Sequence, residues 1–184
     1  HAAQSVAEVA ASADAVYVMV MTGDQAKSVI LGPEGLAARM PSGGGIILSA
    51  TIKPSEARAI GAAMQDANVA LIDSPVSGGF PGAQSGTLTM MAAGPKQALD
   101  QYADVMQAVS KTIHRVGTSA GDGQTVKACL QSLIGSIFSA TFEASALAAK
   151  AGVSGQVLFD VFSSSGAGCG VSNTALENII DRQF

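Results

Sequence analysis

Lys127 is the residue of this 184-residue chain best placed to move a proton. It follows Gly121-Asp122-Gly123-Gln124-Thr125-Val126, where a long run with apolar residues at helical spacing begins. Gln131 lies four residues on, so both side chains share one helix face with Leu130 and Ile134. Partial burial there disfavours the ammonium and lowers the pKa, which a lysine needs to act as a base near neutrality. The two glycines admit close approach of another backbone or a ligand. A solvated lysine near a helix start is the bland alternative, and spacing alone leaves it open.

The second constellation is Asp73-Ser74-Pro75-Val76-Ser77-Gly78-Gly79, which follows an apolar segment read as a strand. Open α/β sheets bind ligands at the carboxyl ends of their strands. Two glycines let the backbone turn its N–H groups onto an anion, and Ser77 adds a hydroxyl donor. A plain glycine-rich turn remains the alternative. His114 alternates with Ile113 and Arg115 and reads as structural. No His, Cys or carboxylate cluster has metal-ligand spacing, so no metal is expected. There is no GxSxG and no defensible Ser/His/Asp set.

The elements that must hold these residues come in two styles. Apolar runs at 15–21, 46–48, 69–72, 88–92 and 112–116 read as strands. Helices fall between them: one after Thr22-Gly23-Asp24, with Asp24 as its cap, one opened by Pro54, and one over 95–109. Such alternation predicts a Rossmann-type, doubly wound α/β parallel sheet. After Gly117 the pattern becomes all-helical, with one long helix over 122–151 that Gly152 closes, then two shorter helices. The expected division is 1–117 as the C-terminal part of a dinucleotide-binding domain and 118–184 as the N-terminal part of a helical domain.

Composition narrows the classes. With 48% hydrophobic and 13% charged residues, the chain can bury a core and is no disordered tail. Net charge is −4, and the ten Lys and Arg form no basic run, so no nucleic acid partner is expected. Cys129 and Cys169 form neither CxxC nor a disulfide framework; with no signal peptide visible, the expectation is a reducing, cytoplasmic setting. Residues 128–149 are the most apolar long stretch. They contain Gln131, Glu143 and several serines, and so read as a buried central helix rather than a membrane span. Such a helix predicts a homo-oligomer, dimer or tetramer.

Taken together, the motifs resemble those of the β-hydroxyacid dehydrogenases, the 6-phosphogluconate dehydrogenase-like family of 3-hydroxyisobutyrate, tartronate semialdehyde and L-threonate dehydrogenases. Residues 73–79, continuing through Phe80-Pro81-Gly82-Ala83-Gln84-Ser85-Gly86-Thr87-Leu88-Thr89-Met90-Met91, are similar to its substrate signature. Gly121-x-Gly123-x-x-x-Lys127-x-x-x-Gln131 is similar to its catalytic signature. The resemblance implies hydride transfer between a small β-hydroxy acid and NAD or NADP. Lys127 would be the catalytic acid/base, Ser77, Gly78 and Gly79 would hold the substrate carboxylate, and Gln131 would orient the substrate. Thr51 would approach the nicotinamide ribose, with Met21 and Thr22 lining the adenosine side. Three departures stand out. Gln131 replaces the usual Asn, which points to a polyhydroxylated acid such as threonate or glycerate. The GxGxxG fingerprint is absent, as is a Lys-Asp pair expected in a later helix. A fragment, inactive alone, is therefore expected. The rival readings are a non-catalytic reductase-like binding protein, an imine reductase relative and an oligomerisation module. Lys127 disfavours the first two.

Overall fold

The computed structural model describes residues 2–183. It divides into two compact units, the first ending at Ala128 and the second starting at Cys129. The first unit opens with α1 (Val6–Ser12), β1 (Ala15–Val18), α2 (Gly23–Leu31), α3 (Leu36–Arg39), β2 (Gly45–Leu48) and α4 (Pro54–Ala63). It continues with β3 (Ala70–Asp73), β4 (Val76–Ser77), α5 (Gly79–Gln84), β5 (Leu88–Ala93), α6 (Lys96–Gln101), α7 (Ala103–Gln107) and β6 (Ser110–Gly117).

The strands form one twice-covered sheet. β1, β2 and β3 run parallel, with Ile46 beside both Val16 and Leu71. Alternation along β2 feeds two cores: Ile46 and Leu48 join the cluster of Ile30, Leu36 and Ile60, while Ile47 joins that of Ile72, Met90 and Met106. All three β2 side chains are fully buried, as an apolar run covered on both faces should be. The fold is the Rossmann-type α/β arrangement, with one departure from a wholly parallel sheet. β5 pairs antiparallel with β3 and β4, and β6 then pairs parallel with β5. The cause is length. Residues 78–87 are too few for a parallel crossover, which needs about a dozen or more, so the chain must turn straight back.

Local boundaries differ from the sequence reading in three places. The first strand stops at Val18, because the Val18 carbonyl accepts from Ser49 and Ala50 just past the end of β2; Met19 and Met21 are left exposed. Thr22, not Asp24, caps α2. Its hydroxyl accepts from the Gln25 amide at 3.2 Å and the Gln25 carboxamide accepts from the Thr22 amide, a reciprocal pair that Asp24 is not positioned to make. The helix expected over 95–109 is two, broken at Tyr102, whose buried side chain donates to the Gly43 carbonyl at 2.7 Å.

α8 (Asp122–Lys150) starts in the first unit, and most of it lies in the second with α9 (Gly155–Ser164) and α10 (Gly170–Asp181). Gly152, at φ 78°, closes α8: its own amide donates to Ala149 and that of Val153 to Ala148. Burial departs from expectation. Leu133, Phe142 and Leu147 on α8 are exposed, as are Val157 and Val161 on α9, because three helices carry more apolar surface than they can bury against one another. By length and composition alone α8 is apolar enough to cross a membrane, though Gln131 and Glu143 interrupt it. The hydroxyls of Ser136, Thr141 and Ser145 bond to carbonyls four residues back.

Candidate active site

The first turn of α8 rests directly on the strand ends. A Cβ on Gly123 would lie 2.5 Å from the Met91 carbonyl oxygen, 2.8 Å from that of Asp73 and 3.0 Å from Pro75 Cδ. Only glycine permits this approach. Gly121 is needed for a second reason: its φ is 97°, a conformation L side chains rarely adopt.

Lys127 lies one turn further along. It is 7% exposed and makes no hydrogen bond or ion pair among the described residues. Burial holds its pKa below the usual lysine value. Desolvation without a counter-charge disfavours the ammonium, the direction of shift a lysine base requires.

Ser77 sits half-buried in β4, and its hydroxyl has no partner among the described residues. Gly78 and Gly79 follow, exposed, at φ 131° and 58°. Those are backbone conformations that L side chains rarely adopt, which is why two glycines stand here. Met21, Thr22 and Thr51 line one cavity of about 570 Å³, together with Lys53 and with Ala128, the neighbour of Lys127. The Thr22 hydroxyl is committed to capping α2, and the Met21 amide already donates to Gln25, so neither is free to bind through those groups. Gln131 lies one turn beyond Lys127 on α8, exposed, in the second unit and without a hydrogen bond among the described residues.

Two residues without an assigned role tie the first-unit groups together. Asp73 is fully buried; one carboxylate oxygen accepts from the amides of Gly121 (2.7 Å) and Gln124 (3.2 Å), the other from the Gln124 carboxamide (2.8 Å). Desolvation raises the Asp73 pKa against the lowering effect of these bonds. Gln124 also donates to the Ala50 carbonyl and accepts from the Ile52 amide, both at 3.0 Å. The hint in the sequence was an acid ending an apolar strand and an amide between Gly123 and Lys127.

Residues 1–117 match the family of the NAD binding domain of 6-phosphogluconate dehydrogenase, and residues 121–184 that of the NAD-binding segment of NADP-dependent 3-hydroxyisobutyrate dehydrogenase. The chain belongs to the β-hydroxyacid dehydrogenase family. Among β-hydroxyacid dehydrogenases it is 33% identical to an L-threonate dehydrogenase of Escherichia coli K12 over 93% of this chain and 57% of that one. A crystal structure of 3-hydroxyisobutyrate dehydrogenase from Salmonella typhimurium superposes with a TM-score of 0.87 at 32% identity, over 98% of this chain and 62% of the other. A solved structure of the Mycobacterium tuberculosis 3-hydroxyisobutyrate dehydrogenase with L-serine gives 0.81 at 33% identity, over 91% of this chain and 56% of the other. The chain thus spans little more than half the length of these β-hydroxyacid dehydrogenases.

The residues present fit one side of a nicotinamide dinucleotide site. The cavity at Thr51 extends to Ala128 on α8, the residue that follows Lys127 in the chain; Lys127 itself does not line it. No GxGxxG occurs in the sequence.

Proposed function

We propose that the protein of this chain is an NAD(P)-dependent oxidoreductase of small β-hydroxy acids, with Lys127 as its catalytic acid/base. The observation that carries the reading is the buried, unpartnered Lys127. Bound nicotinamide would supply the hydride acceptor or donor. In oxidation, Lys127 Nζ takes the hydroxyl proton as the carbinol carbon gives up hydride and the carbonyl forms; in reduction it returns that proton. Ser77 and the amides of Gly78 and Gly79 receive the substrate carboxylate. Gln131 orients the substrate, Thr51 faces the nicotinamide ribose, and Met21 and Thr22 line the adenosine side.

The substrate class follows from the relatives and from Gln131. L-threonate dehydrogenase and a structure holding L-serine are among them, which supports a small acid bearing an additional polar group. Residues 1–117 would form part of the dinucleotide-binding domain and 118–184 part of the helical domain. The protein would work in the cytoplasm, as a homo-oligomer, with neither nucleic acid nor membrane as partner.

The test is Lys127→Ala in the full-length protein. General acid/base catalysis contributes about 10²–10⁴-fold, so kcat should fall at least that far with dinucleotide binding retained. Lys127→Arg should fare little better, since guanidinium does not deprotonate. Near wild-type turnover in either variant would end the reading.

A further inference from the structure

Gln124 is 1% exposed and uses its carboxamide in both senses. Its Nε2 donates to the Ala50 carbonyl and to Asp73, and its Oε1 accepts from the Ile52 amide. The orientation of the amide is dictated, because two of the three partners can only accept and one can only donate. Ala50 and Ile52 flank Thr51, so one side chain grips the backbone on both sides of Thr51, in a loop that lines the cavity. That side chain comes from the helix that carries Lys127, three residues before it and on the same side. Asp73 grips the same helix through two backbone amides and leads in four residues to Ser77.

We propose that Gln124, held by Asp73, is a positioning residue: it sets the Lys127 amine and the Thr51 loop at a fixed mutual distance. The proposal rests on the acid/base reading of Lys127. Glutamine suits the place and glutamate does not. In the variant Gln124→Glu, an ionised carboxylate would lose both donated bonds and stand against the carboxylate of Asp73. Once protonated, the new side chain regains one donor while still accepting from Ile52. Gln124→Glu therefore carries a signature in the oxidation direction: a loss of turnover as pH rises, where wild-type oxidation gains.

The experiment compares wild type, Gln124→Glu, Gln124→Asn and Lys127→Ala in the full-length protein. It records kcat, the dinucleotide KM, the pH profile and the folded fraction by circular dichroism. A misplacement near 1 Å costs on the order of 10²-fold. The expected result is a tenfold to hundredfold fall in kcat for both Gln124 variants, with a raised dinucleotide KM. In the oxidation direction Gln124→Glu should add a descending limb at high pH while the folded fraction stays level. If either variant folds and keeps wild-type kcat, KM and pH profile while Lys127→Ala is inactive, the positioning role is overturned alone. If Lys127→Ala is active, the acid/base reading falls and takes this one with it. If neither Gln124 variant folds, Gln124 is a structural staple and the positioning role is overturned.

Discussion

Replacing Gly123 by alanine pits two effects of opposite sign against each other. Gly123 has no side chain to lose and sits inside a helix, so intrinsic propensity alone makes Gly123→Ala stabilising by about 1 kcal/mol. Its surroundings say otherwise. The new Cβ would lie 2.5 Å from the Met91 carbonyl oxygen, where ordinary contact begins at 3.4 Å, so helix and strand end must part by about 0.9 Å. Neither neighbour is a flexible side chain; two of the three atoms met are backbone carbonyl oxygens, of Met91 and Asp73. Overpacking of this kind costs roughly 1–3 kcal/mol; less the propensity gain of about 1 kcal/mol, the net at about 2–4 °C per kcal/mol lowers Tm by up to roughly 8 °C. Lys127 lies one turn along the displaced helix, so kcat should fall on the order of 10²-fold. Thermal melts and steady-state rates read the two effects separately. A Tm above wild type would show that the helix rides over the strand ends without strain, and would remove the reason given for the Gly121-x-Gly123 spacing.

Three other outcomes are expected. Lys127→Met should raise Tm at low pH: the folded pKa lies below the ordinary 10.5, so the cost of burying the ammonium is full below the folded value and fades as pH rises toward 10.5. A variant no more stable than wild type at low pH would contradict the buried charge. By the same sign, oxidation by the wild type should accelerate as pH rises through the Lys127 pKa and reduction should slow; stopped-flow rates that rise together in both directions would count against Lys127. Gln131→Asn should weaken kcat/KM for L-threonate more than for 3-hydroxyisobutyrate, by about 1–3 kcal/mol if a substrate hydroxyl meets the amide; equal losses would leave Gln131 without a role in specificity.

Much of this was legible in the residues because it depends on local rules. The apolar run at 46–48 after a glycine-rich turn reads as a strand, and Pro54 suits the first position of its helix. Gly78 and Gly79 announced a backbone that turns with positive φ. What stayed hidden was tertiary. Nothing near Gln124 in the chain says that its amide meets residues 72 and 74 positions upstream. The antiparallel return of β5 follows from a connection too short for a crossover, yet the sequence marks it only by length. Thr22 and Asp24 are both capping residue types, and only the contact with Gln25 decides between them. The exposure of α8 escapes the sequence because periodicity reports which faces are apolar, not whether anything covers them.

The Asp73 cap has a consequence for the order in which the chain folds. Most helices find their first-turn partners within a few residues, so their starts can form early and alone. Here the acceptor for Gly121 and Gln124 arrives from 48 and 51 residues upstream, at the end of a strand that is itself held by its neighbour in the sheet. The opening of α8 must then wait for β2 and β3 to pair, while its middle turns can form on their own within microseconds. Folding of this helix should run from its interior toward its start, and the turn that carries Lys127 should be among the last parts of the first unit to become fixed.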